Sequence, residues 1–211
     1  MIYLDSAIVA EAETVKQWGW VKGITTNPTL LAKSNLSPEE TLTKLAAITP
    51  GELYYQLYAT DFDDMVAEAK KAYELIGERI VLKIPATEIG FKATAYLSPE
   101  IPCAVTAIYS AAQAIVAKEA GAKYAIAYVN RATRLLGDGL ALVRDMAHVL
   151  KDSETEILAA SLKSSQEAAT AMQAGAHHLT IPMSILQQMT THDLSLQTAE
   201  EFQQKGTGIK F

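Results

Sequence analysis

Two hydrophobic periods alternate along this chain, and the alternation repeats. Short β-branched or aromatic runs bounded by turn residues are each followed by a longer stretch with apolar residues three and four apart. The first pattern predicts buried strands and the second amphipathic helices. Strands are expected over 1–5, 21–25, 53–58, 80–85, 102–106, 124–129, 156–161 and 178–182. Helices are expected over 7–18, from the turn at Thr26-Asn27-Pro28, from Ser37 to about 47, then over 61–76, 88–97, 110–120, 140–150, 165–174 and 184–189. Ser37-Pro38-Glu39-Glu40 carries a full helix-start signal: a capping hydroxyl, proline at the first helical position and acids in the first turn. Gly77, Gly121 and Gly175 each stand where a helix has to stop.

Eight strand–helix units in about 190 residues predict a (β/α)8 TIM barrel of the α/β class, near the short end for that architecture. An open doubly wound sheet is the rival, but it places a glycine-rich turn after its first strand, and Asp5-Ser6-Ala7 stands there instead. Residues 1–211 read as one barrel domain. The segment 194–211 is a tail outside the eightfold pattern, helical over 194–204.

The run Arg79-Ile80-Val81-Leu82-Lys83-Ile84-Pro85 changes the picture from architecture to chemistry. Strand alternation puts Val81, Lys83 and Pro85 on one face and Ile80, Leu82 and Ile84 on the other, so a single lysine interrupts two apolar faces. An unpaired ammonium there is costly, and shedding its proton relieves the cost. The free amine is a nucleophile that condenses with carbonyl substrates. The plainer alternative is a strand-end lysine that reaches solvent or pairs with a carboxylate.

Composition narrows the classes. With 49% hydrophobic and 20% charged residues the chain has material for a sizeable core. A net charge of −6 argues against a nucleic-acid partner, which calls for a basic face. One cysteine, Cys103, cannot form an internal disulfide, which fits a reducing compartment. No leader-like pattern opens the sequence, and no apolar run approaches membrane-spanning length, so a cytoplasmic protein without a membrane partner is expected.

Barrel sites collect at the C-terminal ends of the strands. The polar residues there are Asp5, Thr25, Thr26, Asn27, Gln56, Lys83, Thr106, Tyr128, Asn130, Arg131, Ser161 and Lys163. Each has a bland reading taken singly: caps for Asp5, Asn27 and Ser161, packing for Thr106 and Tyr128, a surface cation for Arg131. Gathered in one pocket they need a common explanation, because buried polar groups need partners. Other chemistries find less support. His148, His177, His178, His192 and Cys103 lack metal-ligand spacing, and neither a nucleophile elbow nor a phosphate-cradling P-loop is present.

Leu4-Asp5, Gly23-Ile24-Thr25-Thr26-Asn27-Pro28, Val81-Leu82-Lys83-Ile84-Pro85, Thr106 through Gln113, Tyr128-Val129-Asn130-Arg131 and Ala159-Ala160-Ser161-Leu162-Lys163 resemble the signature segments of the small transaldolase family, which includes the fructose 6-phosphate aldolases. The match runs the length of the chain in order. It implies a barrel whose fourth strand carries a Schiff-base lysine, here Lys83, and no metal or organic cofactor. It further implies Asp5 as the acid that handles a substrate hydroxyl proton. Gln56, Thr106 and Tyr128 would hold a proton-shuttling water. Asn27, Thr25 and Thr26 would be substrate-binding, Asn27 through a substrate hydroxyl, and Arg131 and Ser161, with Lys163 nearby, would bind the substrate phosphate. The partners implied are sugar phosphates with small ketones and aldehydes, and a homo-oligomer, a decamer, whose C-terminal helix reaches a neighbour. Transaldolases tend to carry glutamate at the position of Gln56 and phenylalanine at that of Tyr128, so the resemblance leans to the aldolase branch. Ser6-Ala7 after Asp5 and Ala132-Thr133 after Arg131 depart from the family pattern without touching a proposed site group.

Two other classes stay open on residues alone. A barrel isomerase would use Lys83 electrostatically and form no imine. A silent scaffold barrel would have no use for Lys83 and Asp5 together.

Overall fold

Burial settles which face of each strand looks inward. In the computed structural model, which describes residues 1–209, Val81 packs with Tyr3, Tyr54, Ala104, Tyr124, Ile126, Leu158 and Ala160 in one core, while Ile80, Leu82 and Ile84 belong to a second, larger one. The first core is the inside of a barrel and the second is the layer between barrel and helices, as strand alternation requires.

The strands are β1 (Ile2–Asp5), β2 (Gly23–Thr25), β3 (Glu52–Gln56), β4 (Ile80–Pro85), β5 (Cys103–Ile108), β6 (Tyr124–Tyr128), β7 (Glu156–Ala160) and β8 (His178–Ile181). They pair in parallel in sequence order, and β8 closes on β1. The helices are α1 (Val9–Trp18), α2 (Pro28–Leu31), α3 (Pro38–Ile48), α4 (Phe62–Ile76), α5 (Glu88–Leu97), α6 (Ala111–Glu119), α7 (Val129–Leu136), α8 (Gly139–Val149), α9 (Ser165–Gln173), α10 (Met183–Met189) and α11 (Asp193–Lys205). This is the expected (β/α)8 barrel with a C-terminal helix. Residues 210 and 211 of the expected tail lie outside the described residues.

The local signals act where they stand in the sequence. The Ser37 hydroxyl accepts the Glu40 N–H at 3.2 Å, and Glu40 returns a bond from the Ser37 N–H at 3.1 Å. Gly121 and Gly175 take φ of 79° and 110°, a region that favours residues without a Cβ.

One boundary differs in a way that matters. The apolar run 124–129 reads as continuous strand, but the strand stops at Tyr128 and α7 starts at Val129, so Asn130 and Arg131 stand in the first turn of a helix. No side chain caps that start, which leaves nothing local to announce it.

Beneath the C-terminal rim the barrel is plugged by aromatic rings. Tyr3, Tyr54 and Tyr124 point inward and donate their hydroxyls to the Glu52 carboxylate at 2.7–3.0 Å, and Lys123 Nζ joins them at 2.7 Å. Burial by itself would raise the Glu52 pKa, but the bonds from Lys123 and Tyr3 outweigh it and hold the carboxyl below its ordinary value. His178 bridges Glu156 at 2.8 Å and the N-terminal amine at 2.6 Å. Alternation along β1 and β3 then places Asp5 and Gln56 directly above Tyr3 and Tyr54, and along β6 it puts Tyr128 on the same inward face as Tyr124, one layer higher past Ile126. The helices leave no membrane-spanning candidate: among the described residues none is long and apolar enough to cross a bilayer.

Candidate active site

The rim encloses a cavity of about 360 Å³ lined by Asp5, Asn27, Gln56, Lys83, Tyr128, Arg131, Ser161 and Lys163, together with Pro28, Thr29, Leu30, Ala160 and Thr180. Strand register sets the floor of this space. Lys83 stands level with Gln56 on one side and Ala104 on the other, and the small Ala104 leaves room beside the lysine chain. Lys83 is only 3% exposed and donates from Nζ to the Thr26 carbonyl at 3.0 Å. Among the described residues it forms no ion pair with a carboxylate. The plainer alternative, a lysine that reaches solvent or an acid, is therefore not what the fold builds.

Asp5 is held by β2. Thr25 donates to Asp5 Oδ1 at 2.9 Å, and since a hydroxyl has one proton, the contact between Thr25 and Thr180 must be donated by Thr180. The result is a directed chain, Thr180 to Thr25 to Asp5. The Thr26 hydroxyl donates to the Tyr54 carbonyl at 2.8 Å. Thr25 and Thr26 are fully buried and stand behind the cavity wall rather than on it. Both hydroxyl protons are already donated within the protein, to Asp5 and to the Tyr54 carbonyl. Asn27 caps α2 by accepting the Leu30 N–H at 3.0 Å through its side-chain oxygen, which leaves its amide N–H groups to the cavity.

Across the barrel Thr106 is also buried and does not line the cavity itself; its hydroxyl donates to the Tyr128 oxygen at 3.3 Å. β5 bulges just beyond it, where Ala107 takes a φ of 58° and the register with β6 shifts. Tyr128 packs edge-on against Tyr109 and lies under the Arg131 guanidinium, 4.9 Å from the ring centre. Gln56 Oε1 is buried without a hydrogen-bond partner among the described residues. An acceptor so placed calls for a donor from the cavity, a water or a substrate group. Ser161 adopts a φ of 59°, unusual for a residue with a Cβ, and this turn brings it to the cavity beside Arg131 and Lys163.

The sequence from residue 2 to 210 matches the family model described as transaldolase/fructose-6-phosphate aldolase. The chain belongs to the transaldolase/fructose-6-phosphate aldolase family. It is 37% identical over 204 residues to a probable transaldolase of Symbiobacterium thermophilum, covering 95% of this chain and 94% of that one. It is 36% identical over 203 residues to a probable transaldolase of Coprothermobacter proteolyticus, covering 95% and 93%. Among solved structures mandelate oxidase superposes with a TM-score of 0.63 at 16% identity, over 86% of this chain and 65% of that one. This chain spans less than two thirds of that enzyme, and the likeness carries the barrel alone.

Two participants in this member of the transaldolase/fructose-6-phosphate aldolase family, Thr180 and Glu167, escaped the sequence reading, and a third, Asn130, was read only as one polar residue of the rim. Thr180 lines the cavity from the middle of β8, where threonine is an ordinary strand residue and gives no signal. Asn130 turns from the cavity to Glu167, donating from its amide at 2.7 Å. Glu167 itself reads only as an acid in the first turn of α9, the commonest place for one.

Proposed function

We propose that this chain is a Schiff-base aldolase that cleaves fructose 6-phosphate to dihydroxyacetone and glyceraldehyde 3-phosphate and forms it in reverse. The observation that carries this reading is the pairing, around one buried lysine, of an unpartnered Gln56 acceptor with a Tyr128 hydroxyl that still has its proton to give. Lys83 Nζ adds to the C2 carbonyl of the open-chain sugar, and water leaves as the protonated imine forms. That imine accepts the electron pair of the C3–C4 bond. As the bond breaks, Asp5 takes the proton from the C4 hydroxyl, and glyceraldehyde 3-phosphate departs. The enamine carbon is then protonated through a water held by Gln56, Thr106 and Tyr128, and hydrolysis of the imine frees dihydroxyacetone and restores the amine. Asn27 binds a substrate hydroxyl. Arg131 and Ser161 hold the phosphate with Lys163 beside them, a guanidinium suiting a phosphate through two parallel donors.

A second reading is that the chain transfers the dihydroxyacetone unit between sugar phosphates as a transaldolase. Its relatives in Symbiobacterium thermophilum and Coprothermobacter proteolyticus, described as probable transaldolases, favour it. The two reactions share every step up to the enamine and part at its protonation. Transaldolases of the family tend to carry glutamate and phenylalanine where this chain has Gln56 and Tyr128, which favours the aldolase. The experiment is incubation with fructose 6-phosphate, with and without erythrose 4-phosphate. Free dihydroxyacetone without any acceptor supports the aldolase; efficient transfer with no free dihydroxyacetone makes the chain a transaldolase.

A further inference from the structure

The cations proposed to meet a phosphate reach the cavity from two different segments. Arg131 sits in the first turn of α7, after β6, while Ser161 and Lys163 lie in the segment joining β7 to α9. The barrel ladder aligns these segments only as far as Tyr128 opposite Ala160. Beyond that pair, two links hold them together. The Asn130 N–H donates to the Ser161 carbonyl at 3.1 Å. The second link is one carboxylate: Glu167 Oε1 accepts the Asn130 side-chain amide at 2.7 Å, and Oε2 accepts the Lys163 N–H at 2.6 Å.

Glu167 does not line the cavity. It is partly buried at the start of α9, and its own N–H is capped by the Ser164 hydroxyl at 3.0 Å, so its backbone is fixed. A carboxylate this close to an anion site opposes the anion electrostatically, so its presence there needs another reason. The geometry supplies one. Both partners are donors, one from each segment, and a carboxylate, which only accepts, can take one on each of its two oxygens. The segment it holds is strained, since Ser161 occupies the left-handed region, a conformation that persists only where its surroundings hold it.

We infer that Glu167 is a positioning residue for phosphate recognition: by bonding Asn130 and the Lys163 backbone together, it sets the distance between Arg131 and Ser161. This rests on the phosphate role proposed above for those residues. Hydrogen bonding, not charge, is the working property. Glutamine at this position can accept the Lys163 N–H through its oxygen and donate its amide to Asn130 once that side chain turns over, so the link survives loss of the charge. Alanine cannot keep either half.

The test compares glyceraldehyde 3-phosphate with unphosphorylated glyceraldehyde as acceptors for dihydroxyacetone, read as the ratio of their kcat/KM values. A general loss of fold lowers both and leaves the ratio alone. In Glu167→Ala the ratio is expected to fall about 10-fold, the scale of one hydrogen bond to a charged group, through KM for the phosphorylated acceptor. Glu167→Gln should recover most of it. Asn130→Ala should fall similarly, and the double variant with Glu167→Ala should fall little further, because the two act as one link. Arg131→Ala is run in parallel. A ratio that drops in Arg131→Ala but not in Glu167→Ala overturns the positioning role alone. A ratio unmoved in both overturns the phosphate site and this inference with it.

Discussion

The Thr106 hydroxyl donates to the Tyr128 hydroxyl oxygen across 3.3 Å, so Tyr128 keeps its own proton for whatever enters the cavity. Phenylalanine at this position retains the ring under Arg131 and against Tyr109 but has nothing to donate. Tyr128→Phe is therefore expected to lower release of free dihydroxyacetone about 10-fold or more relative to transfer onto erythrose 4-phosphate, within the range a positioned proton carrier contributes. Equal losses in both assays would remove Tyr128 from enamine protonation.

Arg131 carries the phosphate in the proposed mechanism, and its Asn130 neighbour is braced by Glu167. Arg131→Ala should raise KM for phosphorylated substrates by about 10–150-fold, the equivalent of roughly 1.5–3 kcal/mol for one charge-assisted bond. Unphosphorylated substrates should change far less. Parallel losses on both would mean that the guanidinium matters only for its packing on Tyr128.

The barrel floor predicts acid sensitivity. Bonds from Lys123 and the tyrosines hold the Glu52 carboxyl below its ordinary value of 4.5 against the opposing effect of burial. The folded state thus favours the ionised form. The stabilisation is complete above pH 4.5 and is lost as pH falls through the lowered folded value. His178 adds an earlier loss. Burial lowers its pKa despite the bond to Glu156, so below its ordinary value of 6.5 the unfolded chain takes up a proton that the folded one resists. The thermal midpoint should fall in two stages on acidification. Glu52→Gln should flatten the lower stage and cost about 2 kcal/mol at neutral pH, since it weakens several bonds to one half-buried acceptor. An unchanged acid limb in that variant would show that other carboxylates set it.

The features legible in the sequence are those whose physics is local. A lone cation in a β-branched run marked Lys83, and alternation alone put Val81 and Leu82 on opposite faces, which burial then resolves into barrel interior and helix layer. Ser37 and Gly175 announced a helix start and a helix stop. What stayed hidden depends on closure of the barrel or on bonds between distant segments. Tyr3, Tyr54 and Tyr124 read separately as strand aromatics, and only the closed sheet converges them on Glu52. Thr25 and Thr26 belong to the motif but not to the wall, because partners on β1, β3 and β8 consume their hydroxyls. The start of α7 was invisible for the opposite reason: β-branched Val129 continues a strand pattern, and no capping side chain interrupts it.

Helix α11 has no buried residue, and Leu194 and Phe202 are exposed on it at 64% and 72%. Apolar side chains held so far into water fit a surface meant to be covered. A chain ending at Asp193 is expected to sediment as a smaller assembly than the full chain. Identical sedimentation of the two would exclude the tail from assembly.

The central claim is that the buried amine on β4 bonds covalently to a ketone, and borohydride trapping tests it most directly. Reduction in the presence of dihydroxyacetone should fix one ketone-derived mass on the proteolytic peptide that carries Lys83, and Lys83→Met should abolish that label while the protein retains its fold. A label on another lysine, or full activity with no label at Lys83, would contradict the account.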